Sequence, residues 1–347
     1  MGNHAILSAS SSHRWMNCPP SVRLTEHMSD SGSVSPMITC TLNGKKYAVD
    51  FIKTGKGWRI WHLHVCDMWR ADFDRDPVAN AAPLDRGERA YTCPNGHSYD
   101  IAREGYVHLL PANKLHSKDP GDDKAMAAAR NRFLSGGYYD PLRDALTRLA
   151  LAYAPDRAQI LDAGCGEGYY SAALFQALLQ AGKHPRMAGV DLSKHALRRA
   201  AKRQGSIEFA VASVYDLPVA DQQIDLLVNC FSPLALEEFL RVLRPGGLYY
   251  YVVPGARHLW ELKQVLYDTP YPNEEKETPY PGLSYQEIQA VDGTIHLPDS
   301  QTIMDLFQMT PYFWKTPRQG AFRLAGLTQL DTTISFRIHV FRKQGRP

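Results

Sequence analysis

At 347 residues the chain exceeds the usual single-domain size of roughly 100–200, so two domains, or one large domain with appendages, are expected. Hydrophobic residues at 44%, aromatic residues at 10% and charged residues at 22% are ordinary globular values, which exclude a fibrous, collagen-like or wholly disordered chain. Lys plus Arg at 39 against Asp plus Glu at 36 leaves +3, too little over this length to act alone as a nucleic-acid signature, so any basic binding surface must be local. The six cysteines lack the close, even spacing of a secreted disulfide framework, and a reducing cytoplasm is the expected location. No run of 18 apolar residues is present, so no membrane contact is expected, and Met1 to Cys18 lacks the basic and apolar stretches of a secretory signal.

Residues 1–36 contain nine serines and few large aliphatic side chains, the composition of a flexible arm. Residues 37–75 are β-rich: Ile38 to Leu42 and Tyr47 to Ile52 flank Asn43-Gly44, a hairpin signal, and Trp58 to Val65 continues as an alternating strand, giving about three strands. Residues 76–111 hold Cys93-Pro-Asn-Gly-His97. In 112–154 a polar loop leads into a helix over Lys124 to Ser135, stopped by Gly136-Gly137, and a second helix over Tyr138 to Leu151, read as a helical linker. From 155 to 347 short apolar strands alternate with helical stretches, the pattern of a parallel α/β sheet.

The strand Gln159 to Ala163 delivers Gly164-Cys-Gly166-Glu-Gly168 into a helix over Tyr169 to Gln180. Glycines at such a turn let backbone approach a ligand at a helix start. The spacing is neither the Gly-x-Gly-x-x-Gly of dinucleotide enzymes nor a phosphate loop. Asp191 ends the next strand, where a carboxylate can accept from both ribose hydroxyls. Strand Ile224 to Cys230 ends in Asn229-Cys-Phe-Ser-Pro233, and Arg244-Pro-Gly-Gly247 turns into a further strand.

This order of parts resembles the class I S-adenosylmethionine-dependent methyltransferases, whose fold is a Rossmann-like seven-stranded sheet. From Ala82 onward the chain resembles more closely the RlmA-type guanine-N1 methyltransferases of 23S ribosomal RNA. The resemblance rests on "YTCPNGHSYDIAREGYVHLLP", "SKDPGDDKAMAAARNRFLSGGYYDPLRDAL", "LDAGCGEGYYS", "PGARHLWELK" and "LFQMTPYFWK". It implies methyl transfer from S-adenosylmethionine to N1 of a guanine in a hairpin loop, often by a homodimer. Donor contacts fall by resemblance on Tyr139, Asp162, Gly164, Gly166, Glu167, Gly168, Asp191 and His258, with Cys165 a small filler. Guanine N1 carries a proton that must leave, and Asn229, with His258 as an alternative, is the catalytic candidate.

The resemblance also implies an N-terminal zinc module, here degenerate. Structural zinc takes four ligands. Cys93 and His97 supply half a site. The family's Cys-x-x-Cys positions hold Pro77 and Asn80, and Cys66 with His62 or His64 are the substitutes further upstream. Two shorter resemblances lie before the module: "SASSSHRWMNCPPSV" looks like the opening of a phage-associated nuclease-like family, and "NGKKYAVDFIKTGKGWRIWHLHV" is similar to the last strands of the polyketide-cyclase-like fold. Neither carries its family's active core.

For RNA contact, Tyr169-Tyr170 and Tyr312-Phe313-Trp314-Lys315 are candidate stackers. Lys194, Arg198, Arg199, Lys202 and Arg203 form a local basic run, and Lys315 to Pro347 holds seven basic residues against Asp331. Two other readings stand beside the RNA methyltransferase: an impaired RNA-binding relative, and a small-molecule methyltransferase.

Overall fold

The computed structural model describes residues 82–94, 96–110, 120–275 and 277–345, and upstream of them the backbone of five strands. Four of these, β1 (Val22–Thr25), β2 (Ile38–Leu42), β3 (Lys45–Thr54) and β4 (Gly57–Val65), form an antiparallel sheet in sequence order. The three strands expected around Asn43-Gly44 are present, and Leu42 pairs with Lys45, the register of a two-residue connection. β1 is a fourth. It lies within the serine-rich segment expected to have no structure, and its Val-Arg-Leu-Thr run supplies β-branched and apolar residues opposite Thr39 to Leu42. The rest of that segment and the Asn43-Gly44 turn itself lie outside the described residues. β5 (Arg70–Ala71) pairs with β6 (Ala82–Pro83).

The next three strands, β7 (Asp85–Arg86), β8 (Ala90–Thr92) and β9 (Ser98–Asp100), make a small antiparallel sheet. β10 (Val107–His108) leaves it and pairs in parallel with β13 (Glu208–Val211). The main sheet has the order β10, β13, β12 (Arg186–Asp191), β11 (Gln159–Ala163), β14 (Ile224–Cys230), β15 (Leu243–Pro254), β17 (Leu330–Lys343), β16 (Leu283–Leu297). β17 alone runs antiparallel, to both β15 and β16. The seven expected strands are therefore joined by an eighth, β10, contributed by the module that precedes them.

Successive residues of the central strands feed opposite faces. Ile160, Leu226, Val228 and Tyr250 enter one apolar cluster, and Leu161, Leu227 and Tyr249 the other. The first face is covered by α1 (Lys124–Ser135), α2 (Asp140–Tyr153), α3 (Tyr169–Gln180), α4 (Lys194–Arg203), α6 (Trp260–Leu266) and α7 (Ser300–Gln308). The second is covered by α5 (Leu236–Val242) and by the small module, whose Leu84, Tyr91, Cys93, Val107 and Leu109 join the sheet's core. Two short helices, α8 (Tyr312–Lys315) and α9 (Arg318–Ala325), fill the connection between β16 and β17.

The expectation that 112–154 is a linker is corrected by this packing. α1 buries Phe133 and Leu134, and α2 buries Leu142, Ala145, Leu146, Leu149 and Ala150, an i, i+3, i+4, i+7, i+8 stripe turned onto the core. α2 starts at Asp140 with Pro141 in its first turn, where a missing N–H costs nothing. α1 is tied to α7 by Arg132, which donates to both carboxylate oxygens of Asp305 at 2.8 and 2.5 Å. Replacing fully buried Leu142 by Ala should cost about 2–5 kcal/mol in chemical denaturation. A loss within about 0.5 kcal/mol, as on a linker surface, would contradict the reassignment.

Candidate active site

β11, β12 and β14 end side by side, and the site is built on their carboxyl ends. The backbone at Gly164 has φ +87°, and its N–H, with that of Cys165, donates to Val190 O at 2.8 and 2.9 Å. A Cβ at 164 would stand 2.2 Å from Ser232 Oγ, so only glycine lets the loop after β14 come this close. At Gly168, φ +73°, a Cβ would stand 3.0 Å from Ala200 Cβ of α4. This third glycine is a packing position between α3 and α4. Cys165 is buried beside Gly189 and fills space there, and burial pushes its thiol pKa up.

Asp162, the last-but-one residue of β11, is 2% exposed. Ser171 Oγ donates to its Oδ2, while Oδ1 has no partner among the described residues. Burial, reinforced by the charge of Asp191 and opposed by the Ser171 bond, raises its pKa to about 7. Asp191 at the end of β12 accepts from Gly166 N at 2.9 Å and Ser193 N at 2.7 Å, bracing the glycine turn against the start of α4. Burial raises its pKa too. Asn229 in β14 is fully buried. Its Nδ2 donates to Ala163 O and Pro233 O at 3.1 and 3.3 Å, which fixes the amide orientation and leaves Oδ1 an unpartnered acceptor.

Tyr139, at the start of α2, meets His258 after β15: its hydroxyl lies 3.4 Å from His258 Nε2. His258 Nδ1 accepts from Ser335 N at 3.2 Å, so the neutral ring carries its proton on Nε2, facing the tyrosine oxygen. Burial, with Lys263 adding to it, pushes the His258 pKa down to about 3. Both findings correct the alternative role given to His258: its one free lone pair is occupied, and its conjugate acid is too strong for it to act as a base near neutrality. Phe336 closes this corner, its ring 4.6 Å from His258 and 4.9 Å from Tyr139.

The fold thus assembles Tyr139, Asp162, Gly164, Gly166, Asp191, Asn229 and His258 around one set of strand ends. Glu167 is adjacent but turned away. Its carboxylate, 1% exposed, pairs with Arg203 at 2.8 Å and accepts from Asn131, binding α1 and α4 to the turn. Arg203 and Arg199, which contacts Asn131, are therefore partly structural, while Arg198 and Lys202 face solvent. Among the candidate stackers, Tyr169 is buried and bonded to Asp140, Phe313 packs on Phe307, and Trp314 is 66% exposed. Two residues were missed. Arg130 of α1 passes Gly166 of the glycine turn, its Cδ 4.0 Å from where a Cβ there would stand. Phe231 follows Asn229 by two positions, holds φ +57° and is 42% exposed; nothing in an L-residue's identity signals that conformation.

Cys93 and His97 lie on the opposite face, with Sγ and Nδ1 3.2 Å apart, while Cys93 N donates to His97 O across the turn. No group of three or more His, Cys, Asp or Glu residues able to hold a metal is found among the described residues. This donor set does not fit four-coordinate zinc. Pro77 and Asn80, and the side chains of Cys66, His62 and His64, lie outside the described residues.

The antiparallel β17 beside β15 and the glycine turn at β11 define the class I methyltransferase fold. A family model described as "Methyltransferase domain" matches residues 160–247, one described as "RlmA, N-terminal" matches 77–118, and one described as "Protein of unknown function (DUF2800)" matches 4–37. The putative 23S rRNA (guanine-N1)-methyltransferase YxjB of Bacillus subtilis is 31% identical over 266 residues, covering 74% of this chain and 92% of that protein. A putative 23S rRNA (guanine-N1)-methyltransferase of Micromonospora griseorubida is 41% identical over 53% of this chain and 64% of its own length. The 23S rRNA (guanine(748)-N1)-methyltransferase of Streptomyces fradiae is 39% identical over 54% and 65%. These last two alignments span just under two thirds of the relatives. The chain belongs to the 23S rRNA (guanine-N1)-methyltransferase family.

The Glu167–Arg203 pair is open to direct test. Arg203→Ala leaves a buried carboxylate without its cation, at a cost of about 3 kcal/mol. Burial already raises the Glu167 pKa, so the folded state binds the proton more tightly than the unfolded one and stability falls as pH rises past the unfolded value. The deficit measured by denaturation should therefore be larger at pH 8 than at pH 5; equal deficits would show that Glu167 keeps one protonation state between those pH values.

Proposed function

We propose that the chain transfers a methyl group from S-adenosylmethionine to N1 of a guanine in a hairpin loop of 23S ribosomal RNA. The observation that carries this reading is the pair of unpartnered buried oxygens, Asp162 Oδ1 and Asn229 Oδ1, at the ends of adjacent strands. Buried acceptors without partners are costly and call for donors from a ligand. The cleft fits the methyl donor in kind: the carboxylate of Asp162 suits its ammonium, Asp191 its ribose, and the glycine turn admits it without steric cost. Bound there, S-adenosylmethionine supplies an electrophilic methyl group on a sulfonium.

In this reading Asn229 Oδ1 accepts from the guanine's exocyclic amino group and orients the base, and the N1 proton passes to water before the freed in-plane lone pair attacks the methyl group. The amide cannot take the proton itself. Phe231, beside it, offers an exposed ring on which an unstacked base can lie. His258 and Tyr139, held by each other and by Phe336, wall the donor's reacting end and exclude water. Exposed Trp314 and Phe322 offer rings to the RNA bases in this reading, and Lys315 and Arg318 around α8 and α9 offer charge to its backbone.

In this reading residues 155–347 with α1 and α2 form the transferase, and residues 76–111 are an RNA-side module carrying at most half a zinc site. A cytoplasmic location and a homodimer complete it. Among the described residues no helix is long and apolar enough to cross a membrane.

The test is transfer of labelled methyl from S-adenosylmethionine to 23S RNA lacking the modification, followed by nucleoside analysis. Label should appear as 1-methylguanosine. Asn229→Ala should lower kcat about 10²- to 10³-fold with donor affinity unchanged. Undiminished turnover in that variant would remove Asn229 from the mechanism, and label on another nucleoside, or on none, would contradict the function.

A further inference from the structure

We propose that Arg130 binds the carboxylate of the methyl donor; the inference rests on the donor reading above. The amino-acid end of that donor carries both an ammonium and a carboxylate. Asp162 answers the first. The second must be held in a cleft whose other ionisable groups are mostly acids: Asp122, Asp162 and Asp191.

The cations near the turn are largely committed elsewhere. Arg203 is paired with buried Glu167, Arg143 with Asp140 and Asp144, and Lys263 with Tyr271 O and Asn273. Arg130 is different in both placement and valence. Its Cδ is the nearest atom, at 4.0 Å, to the point where a Cβ on Gly166 would stand, so its stem crosses the open side of the glycine turn. Its positive charge opposes, without reversing, the rise that burial gives the pKa values of Tyr139, Glu167, Tyr170 and Asp191, groups in or beside the cleft.

The guanidinium is also held in a fixed orientation. Nε and Nη2 each lie 2.8 Å from Asp122 Oδ2, and Nη2 donates to Met309 O at 3.1 Å. Nη1 makes no hydrogen bond among the described residues, and the side chain is 26% exposed. A planar group anchored through Nε and Nη2, with Nη1 unspent, holds that one nitrogen ready to donate to a carboxylate. Asp122 is itself fixed, since its carbonyl accepts from Ser193 Oγ. The loop before α1, the start of α4 and the donor's carboxylate would thus meet at one side chain.

The experiment is calorimetric titration of wild type, Arg130→Ala and Arg130→Lys with S-adenosylmethionine and with its decarboxylated form, which keeps the ammonium, sulfonium and adenosine. Wild type should prefer the carboxylate-bearing ligand. Arg130→Ala should weaken S-adenosylmethionine by about 10- to 100-fold and leave the decarboxylated ligand within about twofold. Arg130→Lys, a point charge without the fork, should lose less, and only toward S-adenosylmethionine. Equal losses for both ligands would make Arg130 a scaffold residue, and no loss for either would also overturn the proposal. If wild type binds neither ligand, the donor reading itself fails, a result distinct from the other two.

Discussion

The constraint on which the site depends is the burial of a carboxylate that the protein satisfies only in part. Asp162 ends an apolar strand flanked on both sides by apolar strands, so little water reaches it. Ser171 bonds one of its oxygens and the other has no partner among the described residues. Such an arrangement costs stability unless a ligand completes it. Everything around Asp162 prevents the protein from completing it internally: Gly164 carries no side chain, Asp191 is occupied with Gly166 and Ser193, and the Asn229 amide spends its donors on Ala163 and Pro233.

The same strand ends explain why the helices before the sheet belong to the catalytic body. α1 runs over the glycine turn, its Arg130 stem passing Gly166. Arg132 pins α1 to Asp305, Glu167 and Asn131 tie it to the turn, and Tyr139 enters at the start of α2 to meet His258. The small module lies on the other face. Its described part is fixed by the β10–β13 pairing and by Leu84, Tyr91, Val107 and Leu109 in the core, anchors that require no metal. What is described of the module is therefore held to the sheet by apolar packing and strand pairing.

Much of this could be read in advance where local chemistry marks the ends of elements. α1 matches its expected limits because Asp123 caps its start, accepting from Ala125 and Met126 N–H, and Gly136-Gly137 stop it. α3 begins where the glycine turn ends, and β14 is an uninterrupted apolar run. The composition of 112–154 gave no sign of where its apolar stripe would land, so helices that complete the core looked like a connection. Long-range pairings were equally hidden: β1 pairs across the serine-rich stretch, and β10 joins the sheet about a hundred residues before its partner β13. At the site, the glycines and acids carry their roles in spacing. Phe231 and Arg130 do not, because one depends on a backbone torsion and the other on a fold that brings α1 over β11.

The claim that a half-satisfied Asp162 is poised for a cationic donor is tested most directly by the pH dependence of S-adenosylmethionine affinity in wild type and Asp162→Asn. With the empty site titrating near 7, the ionised carboxylate binds the donor's ammonium and the protonated form does not. Affinity should therefore rise about tenfold per pH unit from pH 5 to 6 and level off only above pH 7, and the Asn variant should be weak and flat over the same range. A flat wild-type profile, or an Asn variant that binds as tightly as wild type, would contradict the account.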